Sequence, residues 1–234
     1  MKCQEIAMEK KQTIIFNRVE IADKTSVEQV VSDMSKNSYD ETEGLGFTNV
    51  NVIDGIVYAQ VLFRTPSYVQ SYNEEDGLLE QQIINVYTEL EIVLDIAQGF
   101  LYASAPAVKF NKAKVLLRKC FDGKIVFRNI DVTPKKLWNQ IKHERCCVQI
   151  TDLSIKKYIY KEGAIGRFMV HFEDPLLGEE LLCKYSESIN KITMSVVGEC
   201  GENFILSVTS QNTFSIKCKE ECEELVINQL KKYL

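Results

Sequence analysis

Basic side chains crowd the middle of this sequence, and the task that they suit best is the binding of phosphate groups. Fourteen of the 28 lysine and arginine residues fall between Lys109 and Lys161, a segment with only four acidic residues. The flanking segments are acidic, so the whole chain has a formal net charge of −5. A cationic segment in an otherwise acidic chain predicts a local positive field that attracts polyanions.

The densest group of these cations lies on a predicted helix over residues 106–121. Its apolar residues Phe110, Ala113, Leu117, Cys120 and Phe121 fall within an arc of about 100° on a helical wheel. The rest of the circumference carries five cations and no acid: Lys109, Lys112, Lys114, Arg118 and Lys119. We expect this face to contact successive phosphates of DNA or RNA. The surface is predicted to extend over six further residues: Lys124, Arg128, Lys135, Lys136, Lys142 and Arg145.

Two other interpretations of the cationic helix stay open. Its face could dock an acidic protein, as in an interaction subunit of a phage-defence or mobile-element complex. Alternatively, it could meet acids from the first 108 residues, for example Glu74–Asp76, and serve only as a solvated surface.

Catalytic chemistry has one candidate site, a group of carboxylates. Glu89, Glu91 and Asp95 lie at odd spacing on a predicted strand, which puts their side chains on one face. Such a cluster could hold a divalent cation in a metal-dependent nuclease, although the solvent face of an antiparallel strand has the same pattern. The chain has no G-x-S-x-G, P-loop or G-x-G-x-x-G motif and only two histidines. We therefore expect no enzyme activity, no metal and no cofactor.

The eight cysteines are predicted to be reduced thiols that serve as small apolar residues. No C-x-x-C pair is present, whereas zinc sites usually bring together closely spaced ligand pairs. The cysteines are Cys3, Cys120, Cys146, Cys147, Cys183, Cys200, Cys218 and Cys222.

Local signals predict the elements that position the cations. Asp54-Gly55 joins two β-rich runs, 47–53 and 56–63, as a two-residue hairpin turn. Thr65-Pro66 is predicted to end this hairpin, and the polar residues 67–80 to form a surface excursion. A long strand over 83–96 turns back at 100–103 and leads into the cationic helix. Strands at 191–197 and 204–208 precede a helix over 219–233 in the same way.

These elements predict an α+β fold with antiparallel sheets and hairpin–helix units. The similar outline of the two units is compatible with internal duplication. The predicted regions are 1–130 and 131–234, or a single domain.

Two segments of the sequence resemble a family of bacterial DNA-binding proteins. The run VLDIAQGFLYASA at 93–105, followed by AKVLLRK at 113–119, is similar to the central hairpin and helix of the recombination-associated RdgC family. The acidic loop ending in Leu-Gly-Phe at 45–47 is similar to a loop of the phage exclusion protein RexA. The resemblance covers about 30 of the 234 residues. It implies a dimeric, non-enzymatic protein that binds duplex DNA with little sequence preference, in recombination control or phage defence. Arg118 and Lys119 are the basic positions that the matched segment shares.

Membrane and secretory signals are missing from the sequence. No apolar run approaches the roughly 18 residues of a membrane helix, and the first residues lack the apolar centre of a secretory signal. We expect a cytoplasmic protein without membrane contact.

Overall fold

In the computed structural model, the chain forms two compact units. The structure describes residues 9–22, 26–144, 147–198 and 201–234. The first unit, here called the N-terminal unit, contains residues 16–128. The second, called the C-terminal unit, combines the described part of residues 1–15 with residues 129–234.

Antiparallel sheet dominates both units, so the predicted α+β class is wrong. Strands account for 53% and helices for 27% of the described structure, which makes this a β-rich fold. Both predicted hairpin–helix units are present, at 78–120 and 189–232, but in the described chain they belong to a fold of eleven strands and five short α-helices. The strand content is high mainly because two strands, 56–73 and 78–95, continue far beyond their buried residues.

The N-terminal unit is built on the strand order β2-β3-β4-β5-β1, with β6 also paired to β1. Asp54 and Gly55 both have positive φ, as the predicted turn between β2 and β3 requires. The elements of this unit are β1 (Glu9–Ile21, shared with the C-terminal unit), α1 (Val27–Ser35), β2 (Leu45–Ile53), β3 (Ile56–Asn73), β4 (Leu78–Asp95), β5 (Phe100–Ala103), α2 (Ala107–Cys120) and β6 (Ile125–Asn129).

The predicted end of the hairpin at Thr65-Pro66 is wrong, because β3 and β4 continue through residues 67–80 as an exposed two-stranded ribbon. β3 pairs with β4 from Ile56 to Asn73, whereas β2 covers β3 only as far as Phe63. Arg64 still donates its backbone N–H to the carbonyl of Gly44 at 2.7 Å, and beyond Arg64 this edge of β3 is open. Proline is tolerated on an open strand edge, because no ladder hydrogen bond is lost there, so Pro66 does not end the strand.

The C-terminal unit has the strand order β1-β11-β10-β9-β7-β8. Its inner face is apolar, with Ile192, Val208 and Phe214 fully buried in neighbouring strands. The further elements of this unit are α3 (Pro134–His143), β7 (Cys147–Lys161), β8 (Ala164–His171), α4 (Pro175–Lys184), β9 (Ile189–Val197), β10 (Asn203–Thr209), β11 (Thr213–Lys219) and α5 (Glu223–Lys232).

Membrane crossing by a helix finds no support in the described parts of either unit. None of the helices there is both long enough and apolar enough to span a bilayer.

The cysteines divide into buried and exposed thiols, which corrects the prediction that all serve as small apolar residues. Cys120 and Cys218 are buried, but Cys147 and Cys183 are exposed. Cys3, Cys146 and Cys200 lie outside the described residues. Burial raises the pKa of Cys120 to about 12, and the thiolate is the reactive form of cysteine.

Alkylation is therefore expected to separate these thiols. With iodoacetamide at pH 8, Cys147 and Cys183 should react first, and Cys120 should react only after denaturation. Peptide mapping by mass spectrometry would measure the order. Labelling of Cys120 at the rate of Cys183 in the folded protein would contradict the buried position of Cys120 on α2.

Candidate nucleic-acid interface

Helix α2 presents the largest group of predicted phosphate-binding residues. It begins after Pro106 and ends before Asp122 and Gly123, which both have positive φ. One side is buried against β4 and α1. The buried residues are Phe110, Ala113, Leu116, Leu117 and Cys120. The predicted helix and its apolar face are thus confirmed.

The five cations of α2 lie on two flanks and not on one continuous face. At about 100° per residue, Lys112 and Lys119 form one stripe beside the buried side, and the half-buried Lys109 lies at its border with the buried residues. Lys114 and Arg118 form the other stripe. The outermost positions between the stripes carry Val108 and Val115, which are 70% and 58% exposed. The expectation of a purely cationic outer face is therefore wrong, because valine occupies its centre.

On the first flank, Lys119 is the cation with a carboxylate partner. Its Nζ lies 2.6 Å from an Oε atom of Glu43, and both side chains are about half exposed. Lys112 is exposed, with its Nζ 5.9 Å from the centre of the Phe63 ring. Within the described chain, no carboxylate pairs with Lys109 or Lys112. The acid that reaches this helix comes from the loop before β2 and not from the expected Glu74–Asp76.

The second flank is less accessible, because Lys114 is partly buried. Its Nζ donates a hydrogen bond to Oδ1 of Asn17 at 3.0 Å. Burial, with a smaller contribution from the charge of Arg118, lowers the pKa of Lys114. Arg118 itself is exposed, and its guanidinium carbon lies 5.1 Å from the centre of the Phe127 ring. Arg118 therefore presents its guanidinium at the surface, whereas Lys114 is partly buried and bonded to Asn17.

The other predicted cations are divided between the two units. Lys124 and Arg128 follow α2 in the N-terminal unit, where Arg128 pairs with Glu20 at 2.9 Å. Lys135, Lys136 and Lys142 lie on α3 in the C-terminal unit. Arg145 lies outside the described residues.

Helix α3 offers little that could contact a base. Its tryptophan, Trp138, is only 4% exposed and belongs to the core. Lys142 pairs with Glu179 at 2.5 Å. Lys136 is exposed and Lys135 half-buried, and neither has a carboxylate partner within the described chain.

A second basic surface, which the sequence analysis missed, lies on the outer face of the C-terminal sheet. Lys11 on β1 stands directly opposite Lys217 on β11, and Lys191 lies on the same face of β9. These lysines line a groove of about 480 Å³. A row of hydroxyl side chains, Ser215, Ser207 and Thr193, crosses its floor on adjacent strands.

The far side of this groove is lined by a contact between a carboxyl group and a histidine. Asp152 on β7 lies opposite His171 on β8, with 3.0 Å between Oδ1 and Nδ1. The alternation of polar and apolar residues in T-F-S-I-K-C-K at β11 was the available signal. It marks which residues face outward but not which strands lie side by side.

The carboxylates of the nuclease interpretation do not form a metal site. Asp95 is 2% exposed, and its Oδ1 accepts a hydrogen bond from the backbone N–H of Gln98 at 3.0 Å. Glu91 accepts one from the side chain of Gln60. In the described ranges, no group of three or more His, Cys, Asp or Glu side chains could hold a metal ion.

Comparison with known proteins gives no further guidance to the site. The chain matches no protein-family model and has no significant match among curated proteins.

Proposed function

We propose that this chain is a non-enzymatic protein that binds DNA or RNA with little sequence preference. It acts as a cytoplasmic homodimer, and the RdgC-like segment from β4 to α2 supports a place in recombination control or phage defence. The observation that carries the proposal is helix α2, which has five cations and no acidic residue.

The first flank of α2 suits a phosphate backbone. Lys109, Lys112 and Lys119 are separated by three and seven residues, which corresponds to steps of about 4.5 and 10.5 Å along a helix. Lysine ammonium groups bind phosphates as point charges and do not read base edges. Binding through such contacts is therefore expected to be insensitive to sequence and strongly dependent on salt.

The contact between Lys119 and Glu43 does not remove Lys119 from this surface. Exposed ion pairs contribute only about 0–1 kcal/mol, and both side chains here are about half exposed. A phosphate can therefore replace the Glu43 carboxylate at little cost. Glu43 weakens the attraction of this flank for polyanions without abolishing it.

Reversal of three exposed cations on α2 tests the proposal. The variant Lys112→Glu, Arg118→Glu, Lys119→Glu is expected to lose nearly all affinity for DNA, because repulsion replaces attraction at each position. In the wild type, log K should fall with log salt by about 0.9 per phosphate contact on duplex DNA. Fluorescence anisotropy with duplex and single-stranded oligonucleotides between 50 and 200 mM salt measures both effects.

A matched control separates the local surface from net charge. The variant Lys36→Glu, Lys184→Glu, Lys219→Glu makes the same change of net charge at three exposed lysines outside the α2 sequence. It is expected to keep most of the affinity, and Glu43→Gln should bind more tightly than the wild type. Equal affinity of the α2 variant and the wild type, with unchanged melting curves, would refute the proposal.

Docking of an acidic protein on the same helix is the second candidate function. Val108 and Val115 support it, because exposed valines between cationic flanks are typical of a protein interface with a polar rim. Replacing both valines by serine should weaken such a complex and leave DNA binding nearly unchanged.

A further inference from the structure

Two pairs of strands in this chain extend as ribbons beyond the neighbouring strands of their sheets. The first, here called the acidic arm, is formed by residues 65–87 of β3 and β4, which pair only with each other beyond Phe63. The second, called the basic arm, is formed by residues 156–167 of β7 and β8. Pairing of β7 with β9 ends at Ile155. Each arm is therefore two strands wide and open along both edges.

Both arms expose large apolar side chains. A two-stranded ribbon with no covering layer is only marginally stable in water, and exposed apolar ribbon edges tend to pair with another chain. On the acidic arm, nine large apolar residues are 37–67% exposed: Tyr68, Val69, Tyr72, Leu78, Leu79, Ile83, Ile84, Val86 and Tyr87. On the basic arm, three are 63–80% exposed: Ile159, Tyr160 and Ile165.

The two arms carry opposite charges. Residues 65–87 contain four acids, Glu74, Glu75, Asp76 and Glu80, and no lysine or arginine. Residues 156–167 contain four cations, Lys156, Lys157, Lys161 and Arg167, against the single acid Glu162. The described chain provides no ion pair for any of the four acids on the acidic arm. Two ribbons of opposite charge with exposed apolar faces are complementary to each other.

We propose that the acidic arm of one copy of this chain binds the basic arm of a second copy. Each arm would repel its own counterpart, because like charges in close contact are unfavourable. The charge pattern therefore selects the unlike arm of another copy. In this contact, the exposed apolar side chains of each arm cover those of the other, and the open strand edges provide backbone groups for pairing. This inference rests on the homodimer that belongs to the proposed function, and it names the surfaces involved.

Charge exchange between variants tests the contact. One variant, Glu74→Lys, Glu75→Lys, Glu80→Lys, makes both arms positive. The other, Lys157→Glu, Lys161→Glu, Arg167→Glu, makes both arms negative. By analytical ultracentrifugation without nucleic acid, the wild type is expected to self-associate and each variant alone to be monomeric. An equimolar mixture of the variants should again form a complex that contains both chains.

The mixture also guards against misfolding, because variants that cannot fold would not restore association. The α2 triple variant should associate like the wild type, so that loss of DNA binding and loss of association are separate results. A wild type that stays monomeric at about 100 µM, a concentration high enough to populate a weak dimer, would overturn the proposal. The proposal would also be overturned if each variant associated like the wild type, or if the mixture contained only monomers.

Discussion

Gly46→Ala is expected to lower the free energy of unfolding by about 3 kcal/mol, the upper range for overpacking of a well-filled site. Gly46 on β2 faces the backbone of the segment that links α1 to β2. A Cβ atom at this position would lie 2.4 Å from Cα of Tyr39 and 2.5 Å from the carbonyl oxygen of Ser38. Main-chain atoms cannot rotate away as a side chain can.

The surrounding hydrogen bonds make a simple shift of the linking segment costly. Tyr39 donates its backbone N–H to the carbonyl of Phe47 at 2.9 Å, and Phe47 donates to Asn37 at 3.0 Å. Relief of the clash would have to break these bonds. The loop that carries Glu43 lies between the two segments, so the ion pair with Lys119 is expected to weaken as well.

Urea denaturation followed by circular dichroism measures this effect, and Gly166→Ala is the matched control. Nothing lies within 4 Å of a Cβ built on Gly166, so its change should stay within about 0.5 kcal/mol. A denaturation midpoint for Gly46→Ala equal to that of the wild type would contradict the close approach at Tyr39.

The sequence was sufficient to predict features that depend on residues close together in the chain. Asp54-Gly55 predicts its hairpin because few residues other than glycine and asparagine or aspartate tolerate the left-handed region. The spacing of Phe110, Ala113 and Leu117 predicts the buried face of α2, since a helix repeats about every 3.6 residues. Both features depend on residues that are close in the chain.

Long-range features could not be predicted in this way. Lys119 and Glu43 are 76 positions apart, and Arg128 and Glu20 are 108 positions apart. Charge counting along the chain cannot show such pairs, because they depend on which helices and strands lie side by side in the fold. Pattern analysis also failed at the acidic arm. Its ribbon has no buried face, so the one-sided alternation that normally marks a strand is missing.

The cationic stripes on α2 depend on the packing of its opposite side, and this dependence gives the final prediction. Leu117→Ala is expected to destabilise the protein by about 2–5 kcal/mol, the usual range for a buried leucine. Leu117 is fully buried, so its truncation leaves a cavity beneath the helix. Val115→Ala, on the exposed side of the same helix, is the matched control and should change stability by less than about 0.5 kcal/mol. Thermal and urea unfolding would measure the difference. If both variants lost the same stability, the helix would not be packed with its valines outward. The assignment of Lys112 and Lys119 to a solvent-accessible stripe would then fail with it.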